Sequence, residues 1–163
     1  IKLAKDEGGE IILDGREIND RRNSDKKGYF LGPTVIDSVK PNMKSYLNEI
    51  FGPVLQIIEI DNIEEGIQII NQNSFGNGCC IFTENGNYAR EFSEKVDIGM
   101  VGVNIPLPVP SSFHSFGGWK QSLFGDHAVH GTEGIHFYTK LKTITSRWPK
   151  SIQSGPEFVL PTN

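Results

Sequence analysis

A chain of 163 residues is long enough for one ordinary domain with a sizeable core. Its 20 acidic residues outnumber its 16 basic ones, and the net charge of −4 provides no general attraction to nucleic acid phosphates. The longest apolar runs fall far short of the roughly 20 residues that a membrane-spanning helix needs. We therefore expect a soluble protein with neither nucleic acid nor membrane partners.

The first residues have the character of an internal stretch of a longer protein. The sequence opens at Ile1 without methionine, and residues 1–15 have neither an apolar signal core nor the Arg-rich, acid-poor composition of a targeting segment. Cys79 and Cys80 are adjacent, a spacing that suits neither an ordinary disulfide nor a CxxC metal pair. The cysteine pattern indicates a reducing compartment.

The N-terminal third is expected to hold two strands separated by a surface loop. Residues 10–13 and 33–39 are strand-like. Between them, residues 14–28 are rich in charged residues, Gly, Asp and Asn, which is typical of a loop.

The first helix is predicted over residues 61–73. Ile63, Ile67 and Ile70 follow helical spacing there. Asp61 is the expected N-cap, and Glu64, three residues on, is the expected capping-box partner.

The surrounding segments alternate between strand and helix. Apolar runs at 54–60, 79–82 and 100–104 are predicted strands, and a second helix is predicted around 88–96. Alternation of this kind favours parallel strands joined by right-handed helical crossovers. The fold class is therefore α/β, with an open parallel sheet covered by helices in three layers.

The C-terminal part begins with a proline-rich stretch, residues 105–112, which is expected to be ordered coil because each proline lacks an N–H donor. A helix is expected around residues 125–131. In residues 137–148, two sets of side chains alternate along the chain, and several of them are β-branched. This pattern predicts one long strand at a sheet edge, with its second edge open to pairing. Residues 149–163 form a tail.

The segment NEIFGPVLQI, residues 48–57, is the most specific candidate for chemistry. A carboxylate at Glu49 and an aromatic ring at Phe51 precede a Gly-Pro turn and an apolar strand, and ligands bind at such loops of α/β sheets. A carboxylate can accept both hydroxyls of a ribose, and the ring can pack on an attached base. The alternative interpretation is that Glu49 is a surface acid and Phe51 fills the core.

Four motifs resemble the aldehyde dehydrogenase family in their order along the chain: NEIFGPVLQ, GNGCCIFT, SFGGWKQS and FYTKLKTIT. Three further segments, VKPNM, VDIGMVGVNIPLPVP and GIHFYTKLKTITSRW, resemble the CoA-acylating methylmalonate-semialdehyde dehydrogenases within that family. The resemblance covers residues 29–148. It implies the C-terminal part of a catalytic domain over residues 1–136 and an oligomerisation strand over 137–148.

The resemblance also implies roles for individual residues. Glu49 would bind the nicotinamide-side ribose of NAD, and Phe51 would pack near the nicotinamide. Ile105, Phe113 and Phe116 would line an apolar aldehyde pocket. The side chain of Asn104 is expected to tie down the adjoining loop, with substrate contact as the alternative.

No catalytic residue is expected in this chain, because the family's nucleophilic cysteine would lie upstream of it. Cys79 and Cys80 are interpreted as core residues. The four histidines, His114, His127, His130 and His136, match no HExxH-type spacing, so no metal site is expected and surface positions are favoured. A pH-linked role for His114 stays open.

The activity implied for the full-length enzyme is NAD-dependent oxidation of methylmalonate or malonate semialdehyde, with decarboxylation, to propionyl-CoA or acetyl-CoA. Coenzyme A is the co-substrate, the location is the mitochondrial matrix, and the strand 138–147 joins subunits into a dimer of dimers. Two alternatives remain: a hydrolytic aldehyde dehydrogenase that makes free acids, and a non-catalytic truncated module that acts in assembly.

Overall fold

The computed structural model describes residues 1–16 and 30–148. The tail at 149–163 and most of the predicted loop at 14–28 lie outside the described residues. Within the described ranges, no helix has the length and apolar character needed to cross a membrane.

Among its described residues, the N-terminal half includes two short helices and a three-stranded sheet. The helices are α1 (Lys2–Asp6) and α2 (Lys44–Leu47), and the strands are β1 (Glu10–Leu13), β2 (Thr34–Asp37) and β3 (Val54–Gln56). The strand order is β1-β2-β3, with β1 antiparallel and β3 parallel to β2. The two strands predicted in the N-terminal third are confirmed as β1 and β2. The strand predicted over 54–60 is shorter than expected, because it pairs only as far as Gln56.

The C-terminal half contains the predicted alternation. Its elements are α3 (Ile63–Gln72), β4 (Phe75–Gly76), β5 (Gly78–Ile81), α4 (Gly86–Lys95), β6 (Met100–Val103), β7 (Trp119–Lys120) and α5 (Gly131–Tyr138). β5 and β6 are parallel, and β4 pairs with β7 in an antiparallel ladder. The expected strand-helix-strand-helix-strand order is confirmed, although β3 and β5 belong to separate sheets.

The N-cap of helix α3 lies one residue later than predicted. The N-cap is Asn62, whose Oδ1 accepts a hydrogen bond from the Glu65 amide at 2.9 Å. The Glu65 carboxylate in turn accepts from the Asp61 amide at 2.8 Å. The prediction of Asp61 with Glu64 was wrong because Asp and Asn are equally good caps, and only the structure shows which of the two leads into the helix.

Two separate hydrophobic cores stabilise the two halves. The first consists of Ala4, Ile36, Val39 and Met43, under the β1-β2-β3 sheet. The second consists of Ile67, Phe92, Val96 and Ile98, where α3 and α4 pack on β5 and β6. Ile63 and Ile70 flank this second core, so the predicted apolar face of α3 is the buried one.

One prediction for the C-terminal segment was wrong, and the long strand over 137–148 stays a prediction beyond Tyr138. Residues 121–130 form turns and bends instead of the helix expected around 125–131, and the helix α5 begins only at Gly131. α5 includes Phe137 and Tyr138, the first two residues of the predicted long strand. Residues 139–148 belong to no helix or strand, because a strand requires a hydrogen-bonded neighbour.

Candidate functional site

Helix α2 carries the candidate NAD-binding segment at its C-terminal end, and its N-terminus is held by a distant carboxylate. The Glu7 carboxylate accepts hydrogen bonds from the amides of Lys44 and Ser45, at 3.1 and 3.3 Å. A carboxylate at this end of a helix is favourable because it satisfies unpaired N–H groups and opposes the helix dipole. The contact fixes where the chain leaves α2 toward Glu49.

Gln56 of β3 supports α2 from the other side. Its Nε2 donates to the Ser45 carbonyl oxygen at 2.8 Å. Its Oε1 is buried and has no hydrogen-bond partner among the described residues. A buried acceptor without a donor is costly, and among the described residues Gln56 is held through its Nε2 alone.

The segment from Ile50 to Val54 turns sharply and presents Phe51 to solvent. The Gly52 amide donates to the Ile50 carbonyl at 3.0 Å, and the Val54 amide donates to the Gly52 carbonyl at 2.8 Å. Phe51 is 95% exposed, so it fills no core within the described residues. Glu49 is also exposed. An exposed carboxylate two residues from an exposed ring fits the ribose and nicotinamide of NAD in chemical character.

A groove of about 430 Å³ lies between the two halves of the molecule. Glu49 lines it, together with Gln56 of β3 and Cys79 of β5, whereas Phe51 does not. The remaining lining residues come from α2 and the turn after it, from β3, from the end of α3, from the segments around β4 and β5, and from positions next to β6 and β7: Tyr46, Asn48, Ile50, Val54, Ile70, Asn73, Phe75, Asn77, Gly78, Ile98 and Ser122.

The predicted aldehyde-pocket residues are not gathered in one cavity. Residues 105–112 are coil, as expected from their prolines. Phe116 lines a cavity of about 250 Å³ together with Ser115, Gly117 and Gly118, and this cavity includes neither Ile105 nor Phe113. Ile105 and Phe113 are exposed, at 45% and 74%. Their role in a pocket stays a prediction.

The glycines after Phe116 allow a close crossing of two segments. A side chain at Gly99 would collide with the carbonyl oxygen of Gly117. Gly118 is itself buried against Ser122. The crossing places the turn after Phe116 directly on the start of β6.

Asn104 ends β6 in the left-handed backbone conformation, at φ 55°. Its Oδ1 accepts from the Thr83 amide at 2.8 Å, and its Nδ2 donates to the Thr83 carbonyl at 2.9 Å. Both polar atoms of the side chain are thus engaged by backbone. This agrees with the expectation that Asn104 ties down the loop.

Sequence reasoning missed a contact between two histidines and a glutamate. Glu133, in the first turn of α5, lies 2.6 Å from Nδ1 of His127 and 3.3 Å from Nδ1 of His136. The hydrogen bond with His127, reinforced by the one with His136, lowers the pKa of the Glu133 carboxyl. The Glu133 amide donates to Ser115 Oγ at 3.1 Å, which ties α5 to the segment that follows the proline-rich stretch.

His130 packs differently from the other histidines. Its ring is stacked on Phe116 with centroids 4.6 Å apart. Among residues 1–16 and 30–148, no group of three or more His, Cys, Asp or Glu side chains is placed to hold a metal ion.

Cys79 has the environment of a packing residue. It is half-buried and packs against the second core. Burial, with a smaller effect of Cys80, raises the pKa of the Cys79 thiol, which disfavours the thiolate that a nucleophile needs.

Lys120 of β7 forms hydrogen bonds with the C-terminal end of α3. Its ammonium donates to the carbonyl oxygens of Ile70, Asn71 and Asn73, at 3.3, 3.0 and 3.1 Å. These carbonyls lie in the last turn and at the C-cap of α3, where a cation also complements the helix dipole.

We expect Lys120→Met to lower the free energy of unfolding by about 1–2 kcal/mol, since the carbonyls lose a charged donor but remain accessible to water. Thermal denaturation of the variant measures this loss. Lys2→Met, which changes an exposed lysine on α1, is the matched control and should leave the midpoint unchanged. Equal midpoints for the two variants would show that the Lys120 contacts contribute nothing.

The fold and motifs coincide with those of a known enzyme family. The model of the aldehyde dehydrogenase family matches residues 1–144. The chain belongs to the aldehyde dehydrogenase family.

Individual members of the family show which of its enzymes this chain is most similar to among those compared. The chain is 51% identical over 158 residues to the mitochondrial methylmalonate-semialdehyde/malonate-semialdehyde dehydrogenase [acylating] of Bos taurus, covering 96% of this chain and 29% of that protein. The methylmalonate-semialdehyde dehydrogenase structure from Oceanimonas doudoroffii superposes with a TM-score of 0.84 at 49% identity, over 92% of this chain and 30% of that one.

A structure from Sinorhizobium meliloti, complexed with NAD, superposes with a TM-score of 0.83 at 45% identity, over 94% of this chain and 31% of that one. The chain therefore spans less than a third of the length of these relatives.

Proposed function

We propose that these 163 residues are the C-terminal part of a CoA-acylating methylmalonate-semialdehyde or malonate-semialdehyde dehydrogenase. The observation that carries this proposal is the 51% identity, over 96% of the chain, to the bovine enzyme of that activity. The exposed Glu49 and Phe51 support it, because their chemical character suits one end of a dinucleotide.

For malonate semialdehyde, the overall reaction consumes NAD⁺ and CoA and gives acetyl-CoA, CO₂ and NADH. The aldehyde carbon gives up a hydride to NAD⁺ and forms a thioester bond with the CoA sulfur. The carboxylate leaves as CO₂, and the carbon that it leaves takes the proton from the CoA thiol. NAD supplies the hydride acceptor.

In this scheme the residues of this chain bind NAD and orient the aldehyde. The Glu49 carboxylate accepts hydrogen bonds from two hydroxyls of the nicotinamide ribose, and Phe51 packs near the nicotinamide. Ile105, Phe113 and Phe116 provide an apolar wall for the aldehyde. Such a wall needs few polar groups and excludes water from the site.

The test is an assay of the full-length enzyme with malonate semialdehyde and NAD⁺, with and without CoA. We expect NADH formation that requires CoA and yields acetyl-CoA in equal amount. NADH formation without CoA, accompanied by free acid, would instead establish the hydrolytic alternative. Absence of NADH formation under both conditions would favour the assembly module.

We also propose that residues 138–147 pair with a neighbouring subunit in a dimer of dimers. Leu141 and Trp148 are 98% and 88% exposed, and residues 139–148 are exposed throughout. An exposed segment with apolar side chains such as Leu141 and Ile144 gains backbone hydrogen bonds and apolar burial by adding to another sheet. A mitochondrial location is proposed from the bovine relative alone.

Placing aspartate at both Leu141 and Ile144 is expected to convert the tetramer of the full-length enzyme to dimers or monomers, because charges would have to be buried at the interface. Light scattering during gel filtration gives the mass. Phe124→Asp is the control, since Phe124 is 93% exposed and lies outside the segment. An unchanged mass for the double variant would contradict the proposed interface.

A further inference from the structure

The stretch that leads into α5, residues 127–134, runs alongside residues 113–118, which carry two residues of the proposed aldehyde wall. Gly131 approaches this second stretch so closely that any side chain on it would collide with the Ser115 amide. The Glu133 amide also donates to Ser115 Oγ, at 3.1 Å. The two stretches are therefore in contact through backbone as well as side chains.

His130 lies within this contact and places its ring flat on the ring of Phe116. The ring centroids are 4.6 Å apart, and the ring planes are inclined by only 7°. His130 is the N-cap of α5, but its side chain makes no capping hydrogen bond. Because rotation of the Phe116 ring would lose the stacking contact, the imidazole favours one orientation of that ring.

The position of His130 is itself restricted by its neighbours in the chain. Gly131 adopts the left-handed backbone conformation, at φ 63°, which few other residues tolerate. Gly134 is buried, and a side chain on it would collide with the Val129 carbonyl oxygen. The backbone on both sides of His130 is thus held in place, which makes its ring a fixed support for Phe116.

Phe116 also borders the cavity of about 250 Å³, which His130 does not line. Gly117, Leu123 and Ala128 form other parts of this wall, and none of them carries a polar side chain. The tilt of an aromatic ring at such a wall decides how much room and how much contact it offers. Any influence of His130 on this cavity therefore acts through Phe116.

The two semialdehydes of the proposed function differ by a single methyl group. It is attached to the carbon between the aldehyde and the carboxylate, so an apolar wall beside the aldehyde lies next to it. Discrimination at an apolar wall depends on contacts of this size, because a methyl group gains free energy only where the wall meets it closely.

We propose that His130 is a positioning residue that, by stacking on Phe116, sets the preference of the full-length enzyme between methylmalonate and malonate semialdehyde. This inference rests on the proposed function, in which Phe116 belongs to the aldehyde wall. His130 does not touch the substrate. It holds the Phe116 ring in the orientation that contacts the additional methyl group, and loss of that contact lowers kcat/KM for methylmalonate semialdehyde about three- to tenfold.

The test compares three substitutions of His130 in the full-length enzyme. His130→Ala and His130→Gln remove the stacked ring, whereas His130→Phe keeps a ring that can stack. For each variant, kcat/KM is measured with both semialdehydes at saturating NAD⁺ and CoA, and the ratio of methylmalonate to malonate semialdehyde is taken. This ratio does not depend on the concentration of active enzyme, so a partial loss of folded protein leaves it unchanged. We expect it to fall about three- to tenfold in the two ringless variants and to stay within about twofold of the wild-type value in His130→Phe.

His136→Ala is the matched control, because it removes another exposed histidine, one that contacts Glu133 and His127. Its ratio should equal that of the wild type. An unchanged or raised ratio in the ringless variants would overturn the proposal, as would an equal fall in His130→Phe or in His136→Ala. A wild-type enzyme that oxidises neither semialdehyde contradicts the proposed function and this inference with it. Oxidation of both, with a ratio that His130→Ala and His130→Gln leave unchanged, contradicts this inference alone.

Discussion

Glu49→Gln in the full-length enzyme is expected to raise the KM for NAD⁺ by about 10- to 100-fold, because hydrogen bonds to a charged acceptor contribute about 1.5–3 kcal/mol. Glutamine keeps the size of the side chain but replaces one acceptor oxygen with a donor, which cannot receive a ribose hydroxyl in the same way. Glu49 is exposed and lies on a loop end, so folding should be unaffected. Initial rates at varied NAD⁺ concentration measure the effect.

The control for this variant is Glu59→Gln, which removes the same charge from another exposed glutamate of the neighbouring segment. It should leave the KM for NAD⁺ unchanged. If both variants behave alike, the effect comes from net charge, and Glu49 has no direct contact with the ribose.

Ile36→Ala is expected to produce the largest loss of stability, about 2–5 kcal/mol, because it removes buried methyl and methylene groups and leaves a cavity. Ile36 is 0% exposed, at the centre of β2, and belongs to the first core with Ala4, Val39 and Met43. The midpoint of denaturation should fall, and amide exchange in β2 should accelerate.

Ile12→Ala provides the comparison on the adjacent strand. Ile12 is 60% exposed on β1, so the same truncation removes little buried surface and should cost about 0.5 kcal/mol or less. A loss for Ile36→Ala as small as that expected for Ile12→Ala would mean that the first core does not stabilise the chain.

The alternating part of the fold was predictable because its signals are local. The spacing of Ile63, Ile67 and Ile70 is enough to place one face of a helix against a core, whatever the rest of the chain does. The N-cap at Asn62 shows the limit of this approach, since a neighbouring Asp61 offers nearly the same capping chemistry and shifts the boundary by one residue.

The remaining elements depend on partners far away in the sequence. α2 is four residues long and is capped by Glu7, which lies 37 positions before Lys44. β4 and β7 contain two residues each and exist only through their mutual pairing. No local pattern distinguishes such segments from coil.

The candidate site likewise has one part that was predictable from a local motif and one part that was not. The pairing of a carboxylate with an aromatic ring at Glu49 and Phe51 was recognisable from the motif, and the structure shows both side chains exposed at one turn. The groove beside Glu49 was not predictable, because it is formed by β3 and β5, whose separation is a property of the folded chain.

The Asn104 side chain behaves as a substitute for a peptide unit, extending the β5–β6 ladder by one rung beyond the last residue of β6. Two independent demands meet at this position. The backbone needs a residue that tolerates a left-handed conformation, and Thr83 needs a donor and an acceptor at fixed reach. Glycine meets only the first demand and glutamine only the second, and aspartate would set a carboxylate oxygen against the Thr83 carbonyl. Strand geometry is thus sufficient to account for an asparagine at residue 104.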